Sequence, residues 1–236
     1  MAADAPKGWP SHVASLVSNT DEVDRLMTIH EVFTEGAPGK PPNLEVIHKS
    51  AVVLVIACWE AYVEDLAKNA YEALMNAAST PRVFPYRVLT LASKRLSQDP
   101  DGRKVWQLAG EGWRDVLAAH RNEILERFIG RLNTPRPRQV DELFEQLLGL
   151  KGLSANWKWK KMANPTCIKK LDDLITLRGE IAHRVSASRS VTKKDVTASV
   201  NLVNRLAAIS SNVVRQFVLR RTGSEPWVNV VYGATG

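Results

Sequence analysis

Cysteine is nearly absent. Two residues, Cys58 and Cys167, stand in a chain of 236, too few for a disulfide framework or a multi-cysteine zinc site. Cys58 sits inside an apolar run and reads as a small core residue. Cys167 falls in the first turn of an expected helix. The helix dipole lowers a thiol pKa there, while a plain half-buried cysteine fits the same position. Long apolar runs are missing too: AVVLVIACW, the longest, covers nine residues, about half of what a membrane crossing needs. The opening MAADAPKGWPSH has neither the basic start nor the apolar stretch of a secretory signal. These absences lead to the expectation of a cytoplasmic, reducing compartment and no membrane partner. His12, His30, His48 and His120 show no metal-ligand spacing with one another. GAPGKPP lacks the glycine spacing and the hydroxyl residue of a P-loop, and no Gly-x-Ser-x-Gly or Gly-x-Gly-x-x-Gly stretch occurs. Serine-hydrolase and dinucleotide-binding readings drop out.

What is present is an ordinary soluble composition, 44% hydrophobic and 24% charged, in a chain long enough to bury a full core. The 32 Lys and Arg outnumber the 25 Asp and Glu, for a net charge of +7. That balance suits a polyanion such as nucleic acid, although many basic proteins bind none.

Apolar residues recur at helical spacing almost throughout. Asn19 or Thr20, ahead of Asp21 and Glu22, reads as the cap of a short helix carrying Val23, Leu26, Met27 and Val32. EGAPGKPPN (35–43) breaks it. A long helix is expected over 44–75; it is apolar all round over 51–59, which places it at the centre of the fold. A Pro-flanked helix over 83–96 ends at SQDPDG, and 106–132 reads as one long helix or two shorter ones interrupted at Gly110 and Gly112. NTPRPR (133–138) is a sharp connector before a short amphipathic helix that closes at Gly149. Asn164 as N-cap and Pro165 at the first helical position open a helix to Arg184. SASRSVT interrupts, and 193–221 form the last long helix. The tail SEPWVNVVYGATG holds a short strand or nothing fixed. The expectation is an all-α bundle, with an N-terminal helix and Pro/Gly linker (1–42), a helical domain (43–222) and a C-terminal tail (223–236).

Within the penultimate helix, LRGEIAHR (177–184) breaks the pattern. Cys167, Leu171, Leu174, Ile175, Ile181 and Ala182 form one apolar arc, and Arg178 falls near its centre. A guanidinium there needs a carboxylate from another helix, or else a wet cleft or subunit seam. Glu60, in WEAY, either supplies that acid or faces solvent. His183 lies ~140° around the axis and ~7.5 Å along it from Arg178, so one straight helix keeps the two apart. They converge if the helix ends or bends at His183, or if two copies meet about a two-fold axis.

LRGEIAHR resembles the Arg-x4–6-His motif of the HEPN superfamily. VVLVIACWEAYVEDLAKNAYEAL resembles the first core helix of its RiboL-PSP branch, and RLNTPRPRQVDELFEQLLGL its Asn-x-Pro connector and following short helix. The likeness runs in order from about residue 44 to 219. It implies a HEPN-like helical bundle with additional peripheral helices, dimeric, with Arg178 and His183 of both subunits lining a cleft at the seam. It further implies a metal-independent endoribonuclease without a cofactor, His183 as acid and base and Arg178 as phosphate stabiliser. Toxin–antitoxin or phage-defence service is the implied setting, with an antitoxin or regulatory protein as partner. The residue after the arginine, usually Asn or Asp in the family, is Gly179 here. Glu180, three residues before His183, takes over its orienting role or pairs with Arg184; both residues are candidate assistants. The competing reading is a non-catalytic HEPN dimerisation or nucleic-acid-binding module.

NWKWKKM (156–162) interleaves Trp157 and Trp159 with Lys158, Lys160 and Lys161. Such a pattern stacks unpaired bases and holds phosphates, and the same residues also fit a loop whose tryptophans pack back on the bundle.

Overall fold

The computed structural model describes residues 8–34, 45–100, 102–130, 132–133, 135–184 and 189–232. Helix α1 (Ser11–Thr34) begins directly after Pro10, whose carbonyl accepts from the amides of Val13 and Ala14 at 2.9 and 3.0 Å. It therefore starts about two turns before the cap expected at Asn19 or Thr20. Thr20 is buried and turns its hydroxyl back onto the carbonyl of Val17 at 2.9 Å, which lets a cap-type residue sit inside a helix. Val13 and Leu16 join Val23 and Met27 in the core. The Pro/Gly stretch that follows, 35–43, lies outside the described residues.

Helix α2 (Glu45–Ala77) is the axis of the fold, as its all-round apolarity over 51–59 predicts. By length and composition alone it is also apolar enough to cross a membrane, and half of its most apolar window is buried inside the bundle. Two of its aromatic residues bury their rings and bond their polar tips, while the buried Tyr71 hydroxyl has no partner among the described residues. Trp59 donates to the carbonyl of Pro135 at 3.0 Å, and Tyr62 to that of Ala207 at 2.6 Å.

A 3-10 turn (Pro81–Val83) leads into α3 (Tyr86–Ser97). Residues 106–132 resolve into two short helices, α4 (Gly112–Ala119) and α5 (Arg121–Ile129), after a 3-10 turn at Arg103–Leu108. Gly112 is required at that junction, because a Cβ there would lie 1.9 Å from the carbonyl oxygen of Gln107. Helix α6 (Pro137–Leu148) starts with proline at its first position and stops at Gly149, whose φ of 81° is a left-handed C-cap. Helix α7 (Asn164–Arg184) starts one residue before the first helical position expected at Pro165 and runs to the expected Arg184. Helix α8 (Lys193–Thr222) opens with a capping box between Thr192 and Asp195.

The tail forms no strand among the described residues. It is strapped to α8 instead: Asn212 bonds Val230 in both directions at 2.7 and 2.8 Å, and Arg215 donates to the carbonyl of Trp227 at 2.9 Å. The result is an all-α bundle in which α1, α6, α7 and α8 pack around α2 and share one continuous apolar core.

Candidate active site on the penultimate helix

Helix α7 owes its start to Pro165, which has no amide hydrogen to lose in a first turn. Asn164 does not cap it in the expected way. Its side-chain amide donates to the carbonyls of Ser154 and Trp157 at 2.7 and 3.2 Å, tying the preceding loop to the helix. Cys167, Leu171, Leu174, Ile175, Leu177 and Ile181 are buried on the inner face. Burial pushes the Cys167 thiol up rather than letting the helix start lower it, and does the same to Cys58, to about 11. Both cysteines behave as core residues.

Arg178 stands on that inner face, three and four residues from Ile175 and Leu174. It is half-buried, and its Nε is sealed from solvent with no hydrogen-bond partner. Among the described residues it has no ion pair. Glu60 forms no ion pair with it among the described residues and is itself engaged. The acids one to two turns earlier on α7 are taken. Arg136 donates to the Asp172 carboxylate at 3.1 Å and to the Thr176 hydroxyl at 3.1 Å, while Lys169 holds Asp173 at 2.8 Å.

His183 is exposed, and no hydrogen bond or ion pair of its ring occurs among the described residues. The helix continues through Arg184, so no break before His183 swings the imidazole toward Arg178. Within one protomer the two side chains stay on different faces. Glu180 makes no hydrogen bond to His183. It lines a groove between α7 and α8 and is itself engaged. The side chain of Arg184 lies outside the described residues. At Gly179, four residues before His183, an added Cβ would meet nothing within 4 Å, so the position normally filled by a polar side chain opens on free space.

The groove between α7 and α8 has a volume of about 630 Å³ and an apolar floor of Leu174, Leu177 and Leu202. Of its three lining cations, Lys170, Arg189 and Arg205, the two arginines are already engaged. Arg189 bonds Asp195 at 2.9 Å and holds that carboxyl well below the usual range, and Arg205 lies over the rings of Trp159 and Tyr232 at 5.4 and 4.9 Å. In the basic aromatic loop the two tryptophans part ways. Trp157 is 0% exposed, edge-on to Trp59, and donates to Ser210 at 2.9 Å. A ring enclosed on all sides cannot stack on a base, so Trp157 is removed from the RNA-binding candidates. Trp159 remains partly accessible beside exposed Lys158, Lys160 and Lys161.

A second groove, between α3, α5 and α6, has no counterpart in the sequence reading. Its signal was present as Arg87, Thr90, Leu91 and Lys94, which share one helical face, but nothing local distinguishes that face from a solvated one.

The model of the family described as RiboL-PSP-HEPN matches residues 18–216 of this chain. No curated protein and no solved structure matches it.

Proposed function

The chain belongs to the RiboL-PSP-HEPN family, and from that premise we propose that it is an endoribonuclease acting without a metal ion at a cleft shared by two copies. The observation that carries this reading is Arg178, a partly desolvated guanidinium with a sealed, unbonded Nε and, among the described residues, no acid to neutralise it. A cation in that state is short of a counter-charge, and a phosphate supplies one. Pairing two protomers about a two-fold axis is what would bring an exposed His183 to the Arg178 surface, since α7 separates them within one chain.

In the proposed reaction the ribose 2′-oxygen attacks phosphorus and the bond to the 5′-oxygen breaks. An imidazole takes the 2′-hydroxyl proton, and a protonated imidazole returns one to the leaving 5′-oxygen. Arg178 stabilises the added negative charge of the pentavalent intermediate. The products are a 2′,3′-cyclic phosphate and a 5′-hydroxyl, and DNA is not a substrate. We place this activity in a toxin–antitoxin or phage-defence setting, with an antitoxin or regulatory protein as partner, by analogy with the superfamily.

One observation favours the second reading, a HEPN dimerisation or nucleic-acid-binding module without catalysis. Gly179 offers no side chain to His183, and among the described residues no group bonds the imidazole to orient it within the single protomer. The deciding experiment incubates RNA with purified protein in EDTA and identifies the new ends. Wild type should leave 2′,3′-cyclic phosphates, and His183→Ala should be slower by about 100-fold or more. Equal cleavage by the variant would end the proposal.

A further inference from the structure

The groove between α3, α5 and α6 encloses about 600 Å³, within the ~300–1,000 Å³ of small-ligand clefts. Arg87 and Lys94 line one wall, seven residues apart on α3, and so stand ~10 Å apart along the axis, far enough to serve successive phosphates rather than one. Arg127 faces them from α5. Among the described residues none of these three cations has an ion-pair or hydrogen-bond partner for its side chain. The carboxylate in the lining, Glu142, is already held by Arg138 at 2.7 Å. In the α7–α8 groove both arginines are spent, on Asp195 and on aromatic rings, and Lys170 alone among its lining cations is left, against three here.

Charge alone would suit any anion, and Tyr86 narrows the choice. At the first turn of α3 it stands at the rim with 81% of its surface in water, contributing nothing to the core. The floor below it is apolar, formed by Leu91, Leu132 and Leu143. Unneutralised cations beside an exposed ring are the parts with which proteins hold unpaired nucleic acid, phosphates on the cations and a base on the ring. A polyglutamate-like segment would use the cations and leave the ring idle. We propose that this groove binds a single-stranded RNA segment, seating phosphates on Arg87, Lys94 and Arg127 and stacking a base on Tyr86. The proposal rests on RNA being the substrate of the α7 site. The two places share a support, because the α6 helix that lines the groove follows Arg136, which is bonded to Asp172 and Thr176 on α7.

The test reads binding rather than cleavage. Fluorescence anisotropy of a labelled 2′-O-methyl oligonucleotide, which has no free 2′-hydroxyl to act as nucleophile, is measured on the full chain over a range of salt. Tyr86→Ala should weaken binding about tenfold. The triple variant Arg87→Gln, Lys94→Gln, Arg127→Gln should reduce the slope of log affinity against log salt by about 2, as expected for three phosphate contacts on a single strand. All four side chains lie outside the core, so the variants should melt with wild type. No binding by wild type overturns the site. So does unchanged affinity and slope in the variants, or displacement of the oligonucleotide by polyglutamate as readily as by unlabelled oligonucleotide, which would assign the groove to an acidic protein segment. Groove-dependent binding without any RNA cleavage would leave this site standing while the ribonuclease reading falls; cleavage with groove variants binding like wild type would do the reverse.

Discussion

At Arg178 one protomer carries a cost that it does not offset. Taking a guanidinium out of water costs several kcal/mol unless new partners replace its hydration, and here Nε is enclosed and unbonded while the neighbouring acids serve Arg136 and Lys169. A side chain held for stability would be paired. Arg178→Met keeps an unbranched, flexible side chain on the inner face and removes the charge, so the folded state should be as stable as wild type or better by about 1 kcal/mol, with RNA cleavage lost. Thermal melting beside a cleavage assay checks this; a marked fall in melting temperature would show that the guanidinium makes a stabilising contact and is not waiting for an anion. The arginine's anomaly was legible in the sequence because the apolar arc around it is local to one helix. The fate of Trp157 and Trp159 was not. Two identical residues, two positions apart, differ only in what distant chain meets them: Ser210 and Trp59 enclose the first, Arg205 covers part of the second.

Among the elements, α7 was read to within a residue because its start and stop signals lie within a turn of its ends, although Asn164 is its first helical residue and not its cap. Helix α1 was not, since Asn19 and Thr20 ahead of two acids carry the local pattern of a cap, and only the fold shows Thr20 turning its hydroxyl into the preceding turn while Val13 and Leu16 enter the core. The weak point of α7 is Gly179. A glycine in a helix interior costs roughly 0.5–1 kcal/mol against alanine, and the space where its Cβ would stand is empty. Gly179→Ala should therefore raise stability by about that amount in urea titration. Gly179→Asn, one turn before His183, should hold stability at or above wild type and speed cleavage by giving the imidazole an orienting group. Loss of stability in the alanine variant would mean that the open space is filled in the working assembly, and a slower Asn variant would remove the orienting argument.

Across the whole molecule three helices are joined at His12. From α1 its Nδ1 accepts from Asn69 of α2 at 3.0 Å, which leaves Nε2–H to donate to Ser211 of α8 at 2.9 Å, with the rings of Tyr62 and Trp227 alongside. Burial lowers its pKa from 6.5 to about 4. The unfolded chain binds this proton first, so the stabilisation is present above pH 6.5 and is lost as pH falls through the window to about 4, a loss of roughly 3 kcal/mol. Denaturant titrations across that window should show stability falling with acid, and His12→Gln should flatten the dependence; an equally steep curve in the variant would place the sensitive group elsewhere. The sequence by itself determined that the chain is helical and which face of each helix turns inward, because apolar spacing and capping act within a turn or two of each residue. Only the tertiary structure decided which cations keep no acid, which tryptophan is enclosed and where the grooves open. Those outcomes hang on meetings across the chain, such as His12 with Ser211, Trp157 with Ser210 and Arg136 with Asp172, and no local pattern encodes who arrives at a given face.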